Sequence, residues 1–77
     1  MIKEFTKAEF LEKQGWVKFH SCDSPCWKRF YSHPEKKGYE VRVRVKSDTF
    51  SILLNNHVIS GPNHAYLLEE KLQEHVK

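Results

Sequence analysis

Four residues whose side chains commonly bind metal lie close together in the sequence. His20, Cys22, Cys26 and His33 fall within one short stretch, and imidazole nitrogen and thiolate sulfur are the usual ligands of structural zinc. Their spacing matches none of the common zinc frameworks, which use C-x2-C or C-x4-C pairs with a longer insert. Structural zinc is therefore a minor alternative, and no other cofactor is predicted.

The two cysteines also have simpler interpretations. Alternation along residues 26–32 directs Cys26 toward the core, where a free cysteine commonly behaves as a small apolar residue. A disulfide between Cys22 and Cys26 is conceivable across the loop that separates them. Because the N-terminus has no apolar h-region and hence no secretory signal, we expect a cytoplasmic protein with reduced thiols.

No known catalytic motif is present in the sequence. It contains no glycine-rich phosphate loop, no G-x-S-x-G or H-E-x-x-H segment and no paired carboxylates within one loop. The histidines are scattered, although His57 and His64 flank one loop and could approach each other. The sequence therefore leaves enzymatic activity open and favours a non-enzymatic role.

Strict alternation of valine with basic residues is the strongest pattern in the chain. Val41, Val43 and Val45 alternate with three basic side chains, which is the period of a half-buried β-strand. If the valines face a core, the basic side chains share the opposite face of the sheet, and these are Arg42, Arg44 and Lys46.

A helix is expected over residues 7–14, before the first strand. Thr6 and Glu9 have the spacing of a capping box, and Gly15 can adopt the left-handed conformation that ends a helix. Extended segments separated by turn residues follow, and they cover residues 16–20, 26–32, 39–46 and 50–54.

The C-terminal part predicts a further turn and a second helix. Asn55 and Asn56 can turn the chain, which leaves residues 57–59 as a brief fifth strand. Gly61-Pro62 is expected to end the sheet, with Asn63 as the N-cap of the last helix. The predicted fold is thus α+β: an α-β-β-β-β-α two-layer sandwich in which both helices cover one face of a four- or five-stranded antiparallel sheet.

Alternation then divides the strand residues between two faces. The inner set is predicted to be Val17, Phe19, Cys26, Phe30, Val41, Val43, Val45, Phe50, Ile52 and Leu54. His20 and His33 join the outer set, whose proposed binding face consists of Trp16, Lys18, Trp27, Arg29, Tyr31, Arg42, Arg44 and Lys46. The second strand is ambiguous, because a one-residue slip would bury Trp27 and expose Phe30.

This outer face predicts a binding function. Tryptophan, tyrosine and arginine are the residue types enriched at protein-binding hot spots, so a small regulator or inhibitor, or a homodimer, is the first hypothesis. Arginine and lysine also neutralise phosphates, and aromatic rings stack on unpaired bases. RNA or single-stranded DNA is therefore the alternative partner.

Length and composition are compatible with either partner. Seventy-seven residues form a single domain, 1–77, and 39% hydrophobic residues suit a compact fold. The net charge of +3 favours anionic partners only mildly. Because no apolar run is long enough to span a bilayer, no membrane partner is expected.

Part of the chain resembles a known family of small RNA-directed proteins. The segment Leu11-Glu12-Lys13-Gln14-Gly15-Trp16, followed by strands and a His33-Pro34-Glu35 turn, is similar to the opening half of HicA-type mRNA-interferase toxins. The resemblance covers residues 6–45 and implies a double-stranded-RNA-binding-domain-like scaffold. That family carries a Gly-Ser-His-His-type segment where this chain has Ser24-Pro25-Cys26-Trp27-Lys28. Because no histidine stands there, the resemblance does not carry over ribonuclease activity.

Overall fold

The computed structural model describes residues 4–76, which form one antiparallel sheet covered by two helices. The elements in chain order are α1 (Ala8–Lys13), β1 (Val17–Cys22), β2 (Lys28–Ser32), β3 (Tyr39–Arg44), β4 (Thr49–Leu54), β5 (His57–His64), a 3-10 turn (Ala65–Leu67) and α2 (Leu68–His75). The sheet has five strands in the order β1-β2-β3-β4-β5, as expected for short connections between neighbours. The predicted α+β class is confirmed.

Both helices pack on the same face of the sheet. Leu11 from α1 and Leu68 and Leu72 from α2 belong to one buried cluster with Val41 and Ile52 of the central strands. The opposite face of the sheet, here called the open face, has no covering element among residues 4–76.

The end of α1 follows the prediction, whereas its start does not. Gly15 has φ +96, and the backbone N–H groups of Gly15 and Trp16 donate to the carbonyls of Glu12 and Leu11, which is the Schellman pattern. The capping box is wrong, because the Thr6 hydroxyl donates to the Asp48 carboxylate at 2.6 Å instead of capping the helix.

The fifth strand is longer than predicted. Asn55 and Asn56 turn the chain with φ 51 and φ 68, as the sequence indicates. The strand then continues through Gly61-Pro62, although a glycine followed by a proline predicts the end of the sheet. The pairing of β4 with β5 shifts register twice to accommodate the extra residues of β5. Gly61 has φ +120, and a Cβ there would lie 2.8 Å from the Phe50 carbonyl oxygen. Asn63 lies within β5 and caps no helix.

The core follows the alternation of β3 and β4. Val41, Val43, Val45, Phe50 and Ile52 are buried as predicted. Leu54 is half-buried.

The faces of β2 are the reverse of the prediction. Tyr31 pairs with Val41 and Arg29 with Val43, so both side chains lie on the helix-covered face, where Tyr31 is only 2% exposed. Phe30 consequently lies on the open face. Trp27 has φ 50 and precedes the strand, and its side chain packs against the core. The structure has the one-residue slip that the sequence left open.

The faces of β1 are also partly reversed. Register shifts between Lys18 and His20, so that Phe19 is an extra residue with no partner of its own. Val17 and Phe19, both predicted to be buried, are 56% and 54% exposed. Trp16, predicted to be outside, is buried, and Cys26 is exposed in the loop before β2. An edge strand with a bulge does not keep strict alternation.

The reversal of β2 can be tested by paired substitutions. We expect Tyr31→Ala to lower the free energy of unfolding by about 3–5 kcal/mol, the usual cost of emptying a buried aromatic site. Phe30→Ala, on the open face, should cost about 1 kcal/mol. Urea unfolding followed by circular dichroism measures both. Equal costs, or a larger cost for Phe30→Ala, would contradict this arrangement.

Burial of Tyr31 also predicts a loss of stability in alkali. Burial raises the pKa of the Tyr31 phenol above its ordinary value of 10.0, with smaller contributions from Glu12 and Glu4. Above pH 10 the unfolded chain loses this proton while the folded chain keeps it, so the free energy of unfolding falls as pH rises.

Replacing the phenol with Phe tests this pH effect. The alkaline decline in urea midpoint should be smaller in Tyr31→Phe than in the wild type. Tyr66→Phe, at a phenol on the surface, is the matched control and should leave the decline unchanged. An identical decline in all three proteins would count against the burial argument.

Candidate functional site

The open face consists of three rows that run across the strands. Residues paired directly opposite each other on antiparallel strands share a face, so the strand register defines each row. The basic row contains Cys22, Lys28, Arg44, Thr49 and His64. The central row contains His20, Phe30, Arg42 and Ser51, and the apolar row contains Val17, Ser32, Glu40, Leu53 and Val58.

Phe30 is the centre of an aromatic cluster in the central row. Its ring centroid lies 5.3 Å from that of His20 and 6.2 Å from that of Phe19. The bulge in β1 explains this arrangement, because it places two consecutive side chains of β1 beside one residue of β2. The Arg42 guanidinium carbon lies 5.9 Å from the Phe30 ring centroid, within range of a cation–π interaction.

Arg42 is held on the face but is incompletely paired. Its Nε atom is shielded from solvent and has no hydrogen-bond partner among the described residues. Packing against Phe30 restricts the side chain before any partner binds. A buried polar atom without a partner is costly. The other N–H groups of this guanidinium can donate to a carboxylate or phosphate.

Exposed apolar side chains lie on both edge strands of the sheet. Val17 and Phe19 lie at the β1 edge, and Val58 of β5 is 52% exposed at the other end of the apolar row. Between them, Leu53 is buried outside the main core cluster. Glu40 is the one acidic residue in the three rows, so the face combines apolar surface with an excess of positive charge.

The predicted binding residues are divided between the two faces. Arg42 and Arg44 lie on the open face, as does His20. Lys46 is exposed just after β3, and Lys18 is exposed opposite Tyr31 at the margin of the helix-covered face. The other four were wrongly placed outside: Trp16, Arg29 and Tyr31 are buried, and Trp27 is half-buried.

Several residues of the open face, including Val17 and Val58, were not predicted from the sequence to lie there. Phe19 was missed because strict alternation does not predict the bulge in β1. Lys28 and Phe30 were missed because alternation in β2 permits two registers, each with one aromatic and one basic residue on either face. No signal within β2 distinguishes them. Pairing with the unambiguous strand β3 settles the choice.

Arg29 anchors the loop between β1 and β2 from the covered side. It is 7% exposed, and its guanidinium contacts the Glu4 carboxylate at 3.1 Å and Asp23 at 3.2 Å. It also donates to the carbonyl oxygens of Cys22 and Lys28. The hydrogen bond with Glu4 is the main reason that the pKa of Arg29 is raised, so the side chain stays charged despite its burial.

The four zinc candidates do not form one site. His33 lies beyond the end of β2, opposite the end where Cys22 pairs with Lys28, and its Nε2 lies 2.9 Å from the Gln14 carbonyl oxygen. Within residues 4–76, no group of three or more His, Cys, Asp or Glu side chains is arranged to hold a metal ion. The postulated four-ligand zinc site is therefore not assembled.

A small groove of about 210 Å³ lies between the helices on the covered side. Its walls mix apolar side chains with Lys36 and Glu69, and no hydroxyl, thiol or imidazole lines it.

None of the described helices is both long and apolar enough to cross a bilayer. No family model, curated protein or solved structure matches this chain, so its function is inferred from the geometry of the open face.

Proposed function

We propose that this chain is a non-enzymatic protein-binding module, a regulator or inhibitor that acts through the open face of its sheet. The observation that carries the proposal is that one uncovered face of the sheet combines the exposed apolar side chains of Val17, Phe19 and Val58 with the Arg42–Phe30 pair. Exposed apolar groups next to aromatic and arginine side chains are typical of interaction surfaces.

Arg42 and Phe30 supply the features of an interface hot spot. The Arg42 side chain is already packed against a ring and partly dehydrated, so less conformational entropy is lost when a partner binds. Hot-spot residues commonly lie in such desolvated positions, surrounded by contacts that exclude water. Phe19, beside this pair, offers an exposed ring that a partner can cover.

Charge defines the chemistry of the partner. Lys28, Arg42 and Arg44 lie on adjacent strands, and Lys28 pairs directly with Arg44. A complementary partner therefore presents carboxylates opposite these cations and apolar side chains opposite Val17 and Val58. Electrostatic complementarity of this kind speeds association and determines orientation.

Affinity capture with matched variants tests the proposal. Wild-type protein, Phe19→Ser and Arg42→Glu would be immobilised and exposed to nuclease-treated extract of the organism that encodes the chain. We expect each substitution to weaken the retained partner's binding by at least about 2 kcal/mol, roughly thirtyfold. Purified partner titrated by calorimetry would give the affinities.

Lys13→Glu provides the matched charge reversal for this experiment. Lys13 lies in α1 with a side chain that is 73% exposed, outside the open face, so its substitution should leave capture unchanged. Circular dichroism would establish that all variants fold. A partner retained equally by wild type, Phe19→Ser and Arg42→Glu would refute binding through this face.

A second candidate is RNA or single-stranded DNA, favoured by the cations themselves. Lys28, Arg42 and Arg44 can each contact a phosphate, and the exposed Phe19 ring can stack on a base. The central Phe30 ring is less suited to stacking, because Arg42 lies over it. A protein partner is preferred because only Phe19 offers a free ring for stacking on a base, and because the apolar row gives a nucleic acid nothing to contact.

Salt dependence separates this candidate from the first. If the face binds a single strand, the double variant Lys28→Glu/Arg44→Glu should lose retention on mixed RNA. Wild-type affinity should fall with salt with a log–log slope of about −2, as expected for roughly three phosphate contacts. Lys13→Glu/Lys37→Glu is the charge-matched control, because Lys37 is exposed in the loop between β2 and β3. Absence of wild-type binding at low salt would exclude this candidate.

A further inference from the structure

The loop between β1 and β2 fixes two cysteines across one tight turn. The Asp23 carbonyl oxygen accepts hydrogen bonds from the backbone N–H groups of Cys26 at 2.9 Å and Trp27 at 3.2 Å. Cys22 ends β1 immediately before this turn. The chain therefore doubles back between the two cysteines, which flank the turn.

Contacts with Arg29 hold this turn against the sheet. The Arg29 Nη1 atom lies 3.2 Å from the Asp23 carboxylate and donates to the Cys22 carbonyl oxygen at 3.4 Å. Because Arg29 itself is buried, the turn is attached to the core. The relative position of the two cysteines is thus set by the folded structure.

The two thiols flank the same turn and are accessible. The Cys22 thiol donates to the Asp23 carbonyl oxygen at 3.5 Å, and the neighbouring Cys26 side chain is the main cause that raises the pKa of Cys22. Both cysteines are free, with Cys26 exposed and Cys22 partly exposed. Two accessible thiols that flank one tight turn are the reactants that an intramolecular disulfide requires.

We propose that Cys22 and Cys26 form a dithiol site that is reversibly oxidised to a disulfide by low-molecular-weight disulfides. This inference is independent of the binding function assigned to the open face. Because of its exposure, the Cys26 thiolate attacks first, forming a mixed disulfide and releasing one thiolate. Cys22 then loses its proton and attacks the Cys26 sulfur, which expels the second thiolate.

The reaction is balanced without any further reagent. The two cysteine thiols lose two electrons and two protons in total, and the small disulfide is reduced to two thiol molecules. The site therefore differs from an isolated cysteine, for which reaction would stop at the mixed disulfide. Reduction by a dithiol reagent reverses both steps.

Mass spectrometry of the folded protein tests this proposal. Wild-type protein would be incubated with oxidised glutathione, quenched with acid and measured intact. We expect the mass to fall by two hydrogen atoms, with no glutathione retained, and to return to its starting value after reduction. Peptide mapping should place the bond between Cys22 and Cys26.

Single variants distinguish the paired site from two independent thiols. Cys22→Ser and Cys26→Ser should each retain one glutathione, and Cys22→Ser, which keeps the exposed Cys26, should react faster. A wild-type protein that accumulates glutathione adducts, forms intermolecular dimers or keeps both thiols free would overturn the proposal. These outcomes are read without any binding partner, so they do not depend on the open face.

Discussion

The burial of Arg29 is the constraint on which the arrangement of this domain depends. A strand has a period of two residues, so placing Arg29 on the covered face also places Tyr31 there and directs Phe30 to the open face. A charged side chain is tolerated in this position because Glu4, Asp23 and two backbone carbonyl groups surround its guanidinium. The same contacts join the N-terminal segment to the first hairpin.

Asp48 plays a corresponding role at the other side of the covered layer. Its carboxylate accepts hydrogen bonds from the backbone N–H and hydroxyl of Thr6, and its backbone carbonyl accepts the N–H of Ala65. The residues that precede α1 and α2 are therefore attached to one turn between β3 and β4. This shared attachment helps to explain why both helices cover one face and leave the other open.

The sequence alone predicts strand orientation and turn positions correctly wherever the residue types permit a single arrangement. Valine and arginine in β3 differ so strongly in hydrophobicity that only one orientation is possible, and the fold class followed from that strand, the turns and the helical stripes. Gly15 and Asn55-Asn56 were read correctly, because left-handed backbone conformations restrict the residues that can occupy them.

Where the residue types permit two arrangements, contacts between residues distant in sequence determine which one forms. Arg29, Phe30 and Tyr31 are all amphipathic or aromatic, and burial of the arginine depends on Glu4, which is distant in sequence. Thr6 could cap a helix, but Asp48 competes for its hydroxyl. The candidate site was consequently half predicted: its cations on β3 were identified, whereas its aromatic cluster on β1 and β2 was not.

The arrangement in rows has a consequence for how a partner would sit. Charge and apolar surface are separated along the strand direction, with Lys28 and Arg44 in one row and Val17 and Val58 in another. A partner with the complementary separation meets favourable contacts in one orientation, and the reversed orientation would place its carboxylates over apolar side chains and Glu40. Under the proposed function, the aromatic cluster would therefore provide affinity and the outer rows would determine orientation.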